Sequence, residues 1–129
     1  MARLLVALAL SLAFAHVAAA QETPPAAQPD PPYQGRLERL AEVMGALHHL
    51  RPLCQPAEAQ SWRRHIAQLI EAEQPTDARR DRIIAAFNRG LSGVAETHRT
   101  CTPAARAVAD RYRNEALTLS REIATRFAD

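Results

Sequence analysis

Two cysteines and three of the five histidines are the residues of this chain whose types suit metal binding or redox chemistry. His98 precedes Cys101 by three residues, a spacing that places two side chains on one face of a helix. Together with Cys54 and with His48 or His49, they would supply thiolate and imidazole ligands of the kind that bind zinc or copper. The chain has neither Cys-x-x-Cys nor His-x-x-x-His, so the spacing matches no established metal signature.

A disulfide between Cys54 and Cys101 is the other chemistry open to these cysteines, and it excludes metal binding through their thiolates. Bonded sulfurs supply no thiolate, and an even number of cysteines leaves no spare thiol once they pair. We favour the disulfide, and we keep the metal site, with His48, His49 and His98 as further ligands, as the alternative.

The arginines form a second candidate site, for an anion or an acidic partner. Arginine accounts for all 16 of the Lys and Arg residues, and the formal net charge of +2 is too small to indicate a polyanion-binding protein. Positive charge is nevertheless concentrated at Arg63, Arg64, Arg79, Arg80 and Arg82. Four acidic residues lie among or beside them: Glu71, Glu73, Asp77 and Asp81. We therefore favour a solvated, internally balanced surface over an anion-binding patch.

No motif of an established catalytic or cofactor-binding class occurs in the chain. It has no Cys-x-x-Cys-His haem attachment motif, no glycine-rich phosphate loop and no serine in a nucleophile elbow. His48 and His49 are adjacent, and adjacent helical side chains point about 100° apart, which disfavours a joint catalytic role. His65 follows Trp62 by three residues and is expected at the edge of a helix surface. We therefore expect a protein that is not an enzyme and needs no cofactor.

The first of four predicted helices covers about residues 34–50 and leads to Cys54. The Arg51-Pro52 pair is expected to end it, because a residue before proline disfavours the helical conformation. Cys54 would then lie in the following turn. His49 falls opposite the apolar residues and is expected in water, whereas His48 falls at their edge and is expected to be half-buried. The apolar residues recur at steps of three and four, the period of one helical stripe, and they are Leu37, Leu40, Met44 and Leu47.

Three further helices follow, the second over about residues 56–73, the fourth over about 103–127, and the third between them. Thr76 or Asp77 is expected to cap the third, and Thr102 the fourth, because their side chains accept hydrogen bonds from free N–H groups. Gly90 and Gly93 weaken the third helix by about 1 kcal/mol each relative to alanine, unless a neighbouring helix approaches closely. The residues expected to face inward are Trp62, Ile66, Leu69, Ile70, Ile84, Phe87, Leu91, Val94, His98, Val108, Tyr112, Ala116, Leu119, Ile123 and Phe127.

Four helices joined by short connections pack most simply as an all-α, up-down-up-down four-helix bundle. In that topology the first and third helices finish at the same end of the bundle. Cys54, in the turn between helices 1 and 2, therefore meets Cys101, in the turn between helices 3 and 4. Their bond would close a loop of about 48 residues, for which chain entropy gives about 4 kcal/mol of stabilisation.

The N-terminal residues predict export. Arg3 and the apolar run from Leu4 to Phe14 have the order of a signal peptide, and the alanines before Gln21 supply a cleavage site. We predict a signal peptide over residues 1–20, a proline-rich flexible tether over 21–32 and a helical bundle domain over 33–129. The mature chain would have no transmembrane segment and would lie where a disulfide persists. Export also argues against a nucleic-acid partner.

Several segments carry a resemblance to known sequences, and they extend over nearly all of residues 33–129. They are Leu37 to Val43, Leu47 to Cys54, Trp62-Arg63, Leu69 to Pro75, Phe87 to Gly90, Cys101-Thr102 and Arg111-Tyr112. In these residues the chain resembles a family of small exported alphaproteobacterial proteins of unknown function. The resemblance implies a Gram-negative envelope location, hence the periplasm, and a cysteine pair throughout the family. It assigns no activity and no catalytic residue.

Three functions are open at this point. The one we favour is a non-catalytic interaction module that binds an envelope protein or another cell-surface partner. The second is a small envelope stress holdase, whose histidines and carboxylates would loosen the bundle as pH falls. The third is a metal-binding protein that uses the cysteines and histidines at one end of the bundle.

Overall fold

The computed structural model describes residues 28–127, and within that range it contains helices and no strand. The prediction of an all-α fold with four helices is confirmed. The signal peptide, its cleavage site and the first part of the tether lie outside the described residues, as does the Phe127 side chain. None of the described helices combines the length and the apolar character needed to cross a bilayer. The elements are α1 (Gln34–Cys54), a 3₁₀ turn (Pro56–Glu58), α2 (Ser61–Glu73), α3 (Asp77–Ala95) and α4 (Pro103–Phe127).

α1 is the central helix, and it is buried on nearly every side. Residues 43–47 are all buried, and since successive helical residues turn by 100°, five in a row cover the whole circumference. The prediction of a single apolar stripe therefore underestimates how much of the surface of α1 is buried. The other three helices pack on α1, and each makes its main contacts with α1 rather than with another helix. The largest side chains that are 1 % exposed or less are Leu37, Val43, Leu47, Leu50 and Ile83.

The helix directions follow the predicted up-down-up-down order. Arg79, near the start of α3, bonds Gln34 at the start of α1 and Glu73 at the end of α2. α1 and α3 therefore run parallel, and α2 runs antiparallel to both. α4 is antiparallel to α1, because Arg39 in the first half of α1 bonds Glu115 in the middle of α4, while the disulfide brings the end of α1 to the start of α4. The helices are thus grouped around α1 instead of forming four equal sides around a shared centre.

α3 crosses α1 at two buried glycines, Gly45 and Gly90, where the two backbones meet. A Cβ added at Gly90 would overlap the Glu42 carbonyl group, and one added at Gly45 would overlap that of Phe87. The close approach that would justify Gly90 in a helix is therefore present. Gly93 has open space where its Cβ would lie, so packing does not offset its lower helix propensity.

α1 continues through Pro52 to Cys54, so the prediction that it ends near residue 50 is wrong. Proline lacks an N–H, but in the last turn only one helical bond is lost, and the Gln55 N–H still donates to the Arg51 carbonyl at 2.8 Å. The Arg51 guanidinium also binds Gln55 at 2.6 Å and Glu58 at 2.7 Å, which fixes the chain on both sides of the helix end. Cys54 therefore lies in the last turn of α1.

The predicted starts of α3 and α4 agree with the structure, and the predicted start of α2 is wrong. The side chains of Thr76 and Thr102 accept hydrogen bonds from the N–H three residues later, at 3.4 and 3.0 Å, so both predicted caps are confirmed. α2 begins at Ser61 rather than Pro56, because residues 56–58 form the 3₁₀ turn in which Glu58 is bound by Arg51.

Two predicted positions in and after α3 are wrong. Ile84, expected inside, is 42 % exposed, and its neighbour Ile83 is fully buried instead. Ile83 precedes Gly90 by two helical turns, so the glycine contact with α1 turns Ile83 inward. α3 ends at Ala95, which places His98 in the following loop rather than on the helix. The other described residues expected inside are buried or partly buried against the core: Trp62, Ile66, Leu69, Ile70, Phe87, Leu91, Val94, Val108, Tyr112, Ala116, Leu119 and Ile123.

Candidate functional site

Cys54 and Cys101 form the predicted disulfide, with 5.0 Å between their Cα atoms. The bond joins the last turn of α1 to the loop before α4. Cys101 is exposed, Cys54 is partly exposed, and Arg106 in the first turns of α4 donates a hydrogen bond to Cys101 Sγ at 3.1 Å. The prediction of the pair is confirmed, with the correction that Cys54 belongs to a helix and not to a turn.

The histidines of the alternative metal site have other contacts. The His49 Nε2–H donates to the His98 carbonyl oxygen at 2.5 Å, so His49 is partly buried instead of lying in water. This bond fixes the loop after α3 against α1. Within residues 28–127, no three His, Cys, Asp or Glu side chains are grouped as metal ligands would be. The disulfide leaves the metal alternative without its thiolate ligands.

His48 is half-buried beside α3, as the sequence predicts. Its ring centroid lies 5.6 Å from that of Phe87, and its Nδ1 atom is buried without a hydrogen-bond partner among the described residues. Burial lowers the pKa of His48, and positive charge on Arg63 and on His49 lowers it further. The fold therefore favours the neutral form of this histidine.

The fold divides the arginine runs rather than gathering them into one patch. Arg79 is largely buried and binds Glu73 at 3.0 Å. Arg82 binds Asp30 at 2.6 Å and Glu38 at 3.0 Å, so the described end of the predicted tether is attached to α3. Carboxylates thus neutralise two of the five arginines, and only one of these carboxylates, Glu73, is among the four acidic residues named from the sequence. The remaining three are exposed: Arg63, Arg64 and Arg80.

A groove between α2 and α4, not anticipated from the sequence, has a volume of about 460 Å³ and a mainly apolar lining. It exists because α2 and α4 both pack on α1 and hardly contact each other. Leu117 lies on its rim and is 51 % exposed, the highest value for a large apolar side chain in the described range. Hereafter this is the α2/α4 groove. Its apolar lining consists of Leu40 and Met44 from α1, Trp62 and Leu69 from α2, and Ala116 and Leu117 from α4.

Basic side chains border the α2/α4 groove. His65 and Arg113 belong to its lining, which includes no carboxylate. Glu115 and Glu122 of α4 face α1 and pair with its arginines. α4 therefore directs these glutamates, each 37 % exposed, towards α1 and several arginines towards solvent. The exposed arginines of α4 that form no ion pair among the described residues include Arg111, Arg113 and Arg121.

A smaller cavity of about 280 Å³ lies on the other side of α2, between α2 and α3. Ile84 lines it, and Ile84 and Leu117 are the two exposed large apolar side chains of residues 28–126. α2 therefore lies on α1 between two open apolar surfaces, each marked by one exposed aliphatic residue. Ile84 is accordingly a matched control for Leu117.

The sequence does contain a signal for the α2/α4 groove. Arg113, Leu117 and Arg121 are spaced by four residues, so they form a separate stripe on α4 beside the core-facing one. A leucine between two arginines on such a stripe lies outside the core-facing pattern of α4. The stripe is separate from the inward-facing residues of α4, so a search of this helix for core residues alone misses it.

A family model described as "Protein of unknown function (DUF2385)" matches residues 32–127. The chain belongs to this family. The DUF2385 match includes all four helices, both cysteines and the α2/α4 groove, and the expected membership in a family of unknown function is confirmed. No curated protein and no solved structure matches the chain.

Proposed function

We propose that this DUF2385 protein is a non-catalytic interaction module of the cell envelope that binds a helix of a partner protein in the α2/α4 groove. The observation that carries the proposal is the groove, an apolar concavity of about 460 Å³ with Leu117 exposed on its rim. Binding sites are typically concave and mainly apolar, with a few polar groups at the edge. Exposed apolar surface with a polar rim is typical of a face that contacts another protein.

The dimensions of the α2/α4 groove suit a helix. Its walls extend from Trp62 to Leu69 on α2 and from Arg113 to Ser120 on α4. Seven residues of helix rise about 10 Å, so the groove is about two turns long. Three apolar side chains spaced i, i+4 and i+7 on a docked helix span the same length.

An envelope location supports a partner from that compartment. Disulfides persist in oxidising compartments, and Cys54 and Cys101 are bonded. The pattern of residues 1–20, with a basic residue, an apolar run and small residues before Gln21, favours export. The partner would then be a periplasmic or membrane-attached protein with an accessible helix.

Two single-residue variants test whether the α2/α4 groove is the binding site. Leu117→Arg places a charge in this groove, and Ile84→Arg places one on the other side of α2. Both replace exposed side chains, so both variants should fold. With a photo-reactive residue at position 65, we expect cross-linking to one envelope protein in cells, lost in Leu117→Arg and retained in Ile84→Arg. Equal cross-linking in both variants and in the parent would contradict the proposal.

An acid-responsive holdase is the second candidate, and the position of His48 favours it. His48 lies half-buried against Phe87, at the contact of α1 with α3, and burial lowers its pKa. Its protonation in acid would weaken that contact and expose apolar surface. A holdase would suppress aggregation of unfolded proteins at about pH 5 but not at pH 7, and His48→Leu would remove the difference. Absence of suppression at the lower pH would exclude this candidate.

A further inference from the structure

The charges beside the α2/α4 groove identify the chemistry of its partner. Glu115 and Glu122 are each bound to an arginine of α1, at 2.7 and 3.1 Å, so they bring no free negative charge to the groove. Arg113 lies in the lining. Arg121, two turns further along the same stripe of α4, is exposed beyond the lining, and its Nε–H donates to the Leu117 carbonyl oxygen at 3.2 Å. Leu117 is between them. The α4 wall is therefore an apolar contact with a basic residue at each end.

The α2 wall is basic near its first turn. His65 belongs to the lining, and Arg64 is exposed one turn before Gln68, which also lines the groove. Since α2 and α4 run in the same direction, this end of α2 lies beside Arg113. A nearby carboxylate, Glu58, is bound by Arg51 at 2.7 Å; that bond is the main reason why its pKa is lowered, and the charge of Arg113 lowers it further. An occupant thus meets positive charge on both walls at this end.

Two other occupants fit these features less well. In a symmetric pairing of two copies through this groove, the exposed apolar residue that each copy inserts is Leu117, flanked by the same two arginines. Two copies would then bring like charges together at the interface, which disfavours association. A bilayer contacts convex or flat amphipathic faces, whereas Leu40 and Met44 form the floor of a trough between two helices.

We infer that the partner presents an acidic amphipathic helix, with three apolar residues spaced i, i+4 and i+7 and carboxylates beside them. The apolar residues fill the groove over Leu40 and Met44, and the carboxylates pair with Arg113 and Arg121. This inference rests on the proposed function, since it uses the same groove. Each exposed charge pair changes affinity by about fivefold or less, so the pairs act mainly through selectivity and association rate.

Selection from a library of helix-stabilised peptides tests the inference on the full, oxidised protein. Every peptide carries leucine at the three anchor positions, and the flanking positions vary among Glu, Gln and Lys. We expect the selected peptides to be enriched in Glu and to lose binding to Leu117→Arg. Their affinity should fall up to about fivefold for Arg113→Gln and for Arg121→Gln. Arg80→Gln, an exposed arginine of α3 outside the groove, is the control and should leave affinity unchanged.

The outcomes separate this inference from the proposed function. Selected peptides rich in Gln or Lys that still require Leu117 would overturn the acidic helix and leave the groove as a docking site. No peptide whose binding requires Leu117 would overturn both. Vesicles of phosphatidylglycerol serve as a second probe: vesicle binding that is lost in Leu117→Arg and in Arg113→Gln would replace the protein partner with an anionic membrane.

Discussion

At the scale of single residues, the missing Cβ atoms of Gly45 and Gly90 determine how closely α1 and α3 approach. Gly90→Ala adds an atom that overlaps the Glu42 carbonyl group, so the two backbones must separate. We expect the free energy of unfolding to fall by about 3 kcal/mol, measured by urea unfolding followed by circular dichroism. Gly93→Ala, in the same helix with open space around it, should instead stabilise by up to about 1 kcal/mol. Similar effects of the two variants would contradict the contact.

His48 makes the stability of the protein depend on pH. Burial lowers its pKa in the folded protein, whereas in the unfolded chain the pKa is near 6.5. Below about pH 6.5 the unfolded chain therefore binds more protons than the folded protein. The free energy of unfolding then decreases as the pH is lowered, until the pH passes below the pKa of His48 in the folded protein. His48→Leu should reduce this loss between about pH 7.5 and pH 5, measured by urea unfolding at each pH. An unchanged pH slope would show that other groups set it.

At the scale of helices, Arg79 connects the ends of three of them. Its side chain is 13 % exposed, and that of its partner Glu73 is 16 % exposed. Arg79→Met keeps the aliphatic part of the Arg79 side chain but removes the charged group that donates a hydrogen bond to the Glu73 carboxylate. We expect a loss of about 2 kcal/mol in chemical unfolding, since a hydrogen bond to a charged group contributes about that much. Arg80→Met, at the next and exposed position, should change stability by less than about 0.5 kcal/mol.

The disulfide connects α1 to α4 across 47 residues of sequence. A closed loop of that size is worth about 4 kcal/mol in the chain-entropy description, so reduction should lower the melting temperature markedly. Far-UV helicity at low temperature should persist, because the glycine contact between α1 and α3 does not involve the cysteines. The double variant Cys54→Ser/Cys101→Ser should melt like the reduced protein. If reduction left the melting temperature unchanged, the bond would not be a structural one.

Local features of these helices were predictable from the sequence, and contacts between helices were not. Thr76 and Thr102 cap helices through bonds to residues three positions away, so their role is visible in a short segment. Ile83 and Ile84 both fit an apolar pattern, and the contact of Gly90 with α1 decides which one is buried. The α2/α4 groove depends on two helices that hardly contact each other, and the stripe of Arg113, Leu117 and Arg121 marks only its α4 wall.

At the scale of the whole molecule, α2 is the helix held least firmly. Ile66 is its one buried residue, whereas buried residues occur throughout α1. Segments with few buried contacts open at lower free energy than the global unfolding reaction. We expect amide hydrogens of α2 to exchange well before those of α1, measured by hydrogen–deuterium exchange with mass spectrometry. Protection of α2 equal to that of α1 would contradict this arrangement.

Because α1 is buried on nearly every side, its burial depends on segments that are synthesised after it. α1 is the first of the four helices to leave the ribosome, and its main partners, α3 and α4, follow only after α2. A nascent chain that ends at Glu73 therefore has little to cover Leu37, Val43 or Leu47, and transient apolar surface of this kind promotes aggregation. Folding one helix at a time from the N-terminus would therefore leave α1 uncovered until α3 and α4 are available. α1 is covered only when the segments synthesised last pack against it, and the Cys54 thiol stays unpaired until Cys101 has emerged.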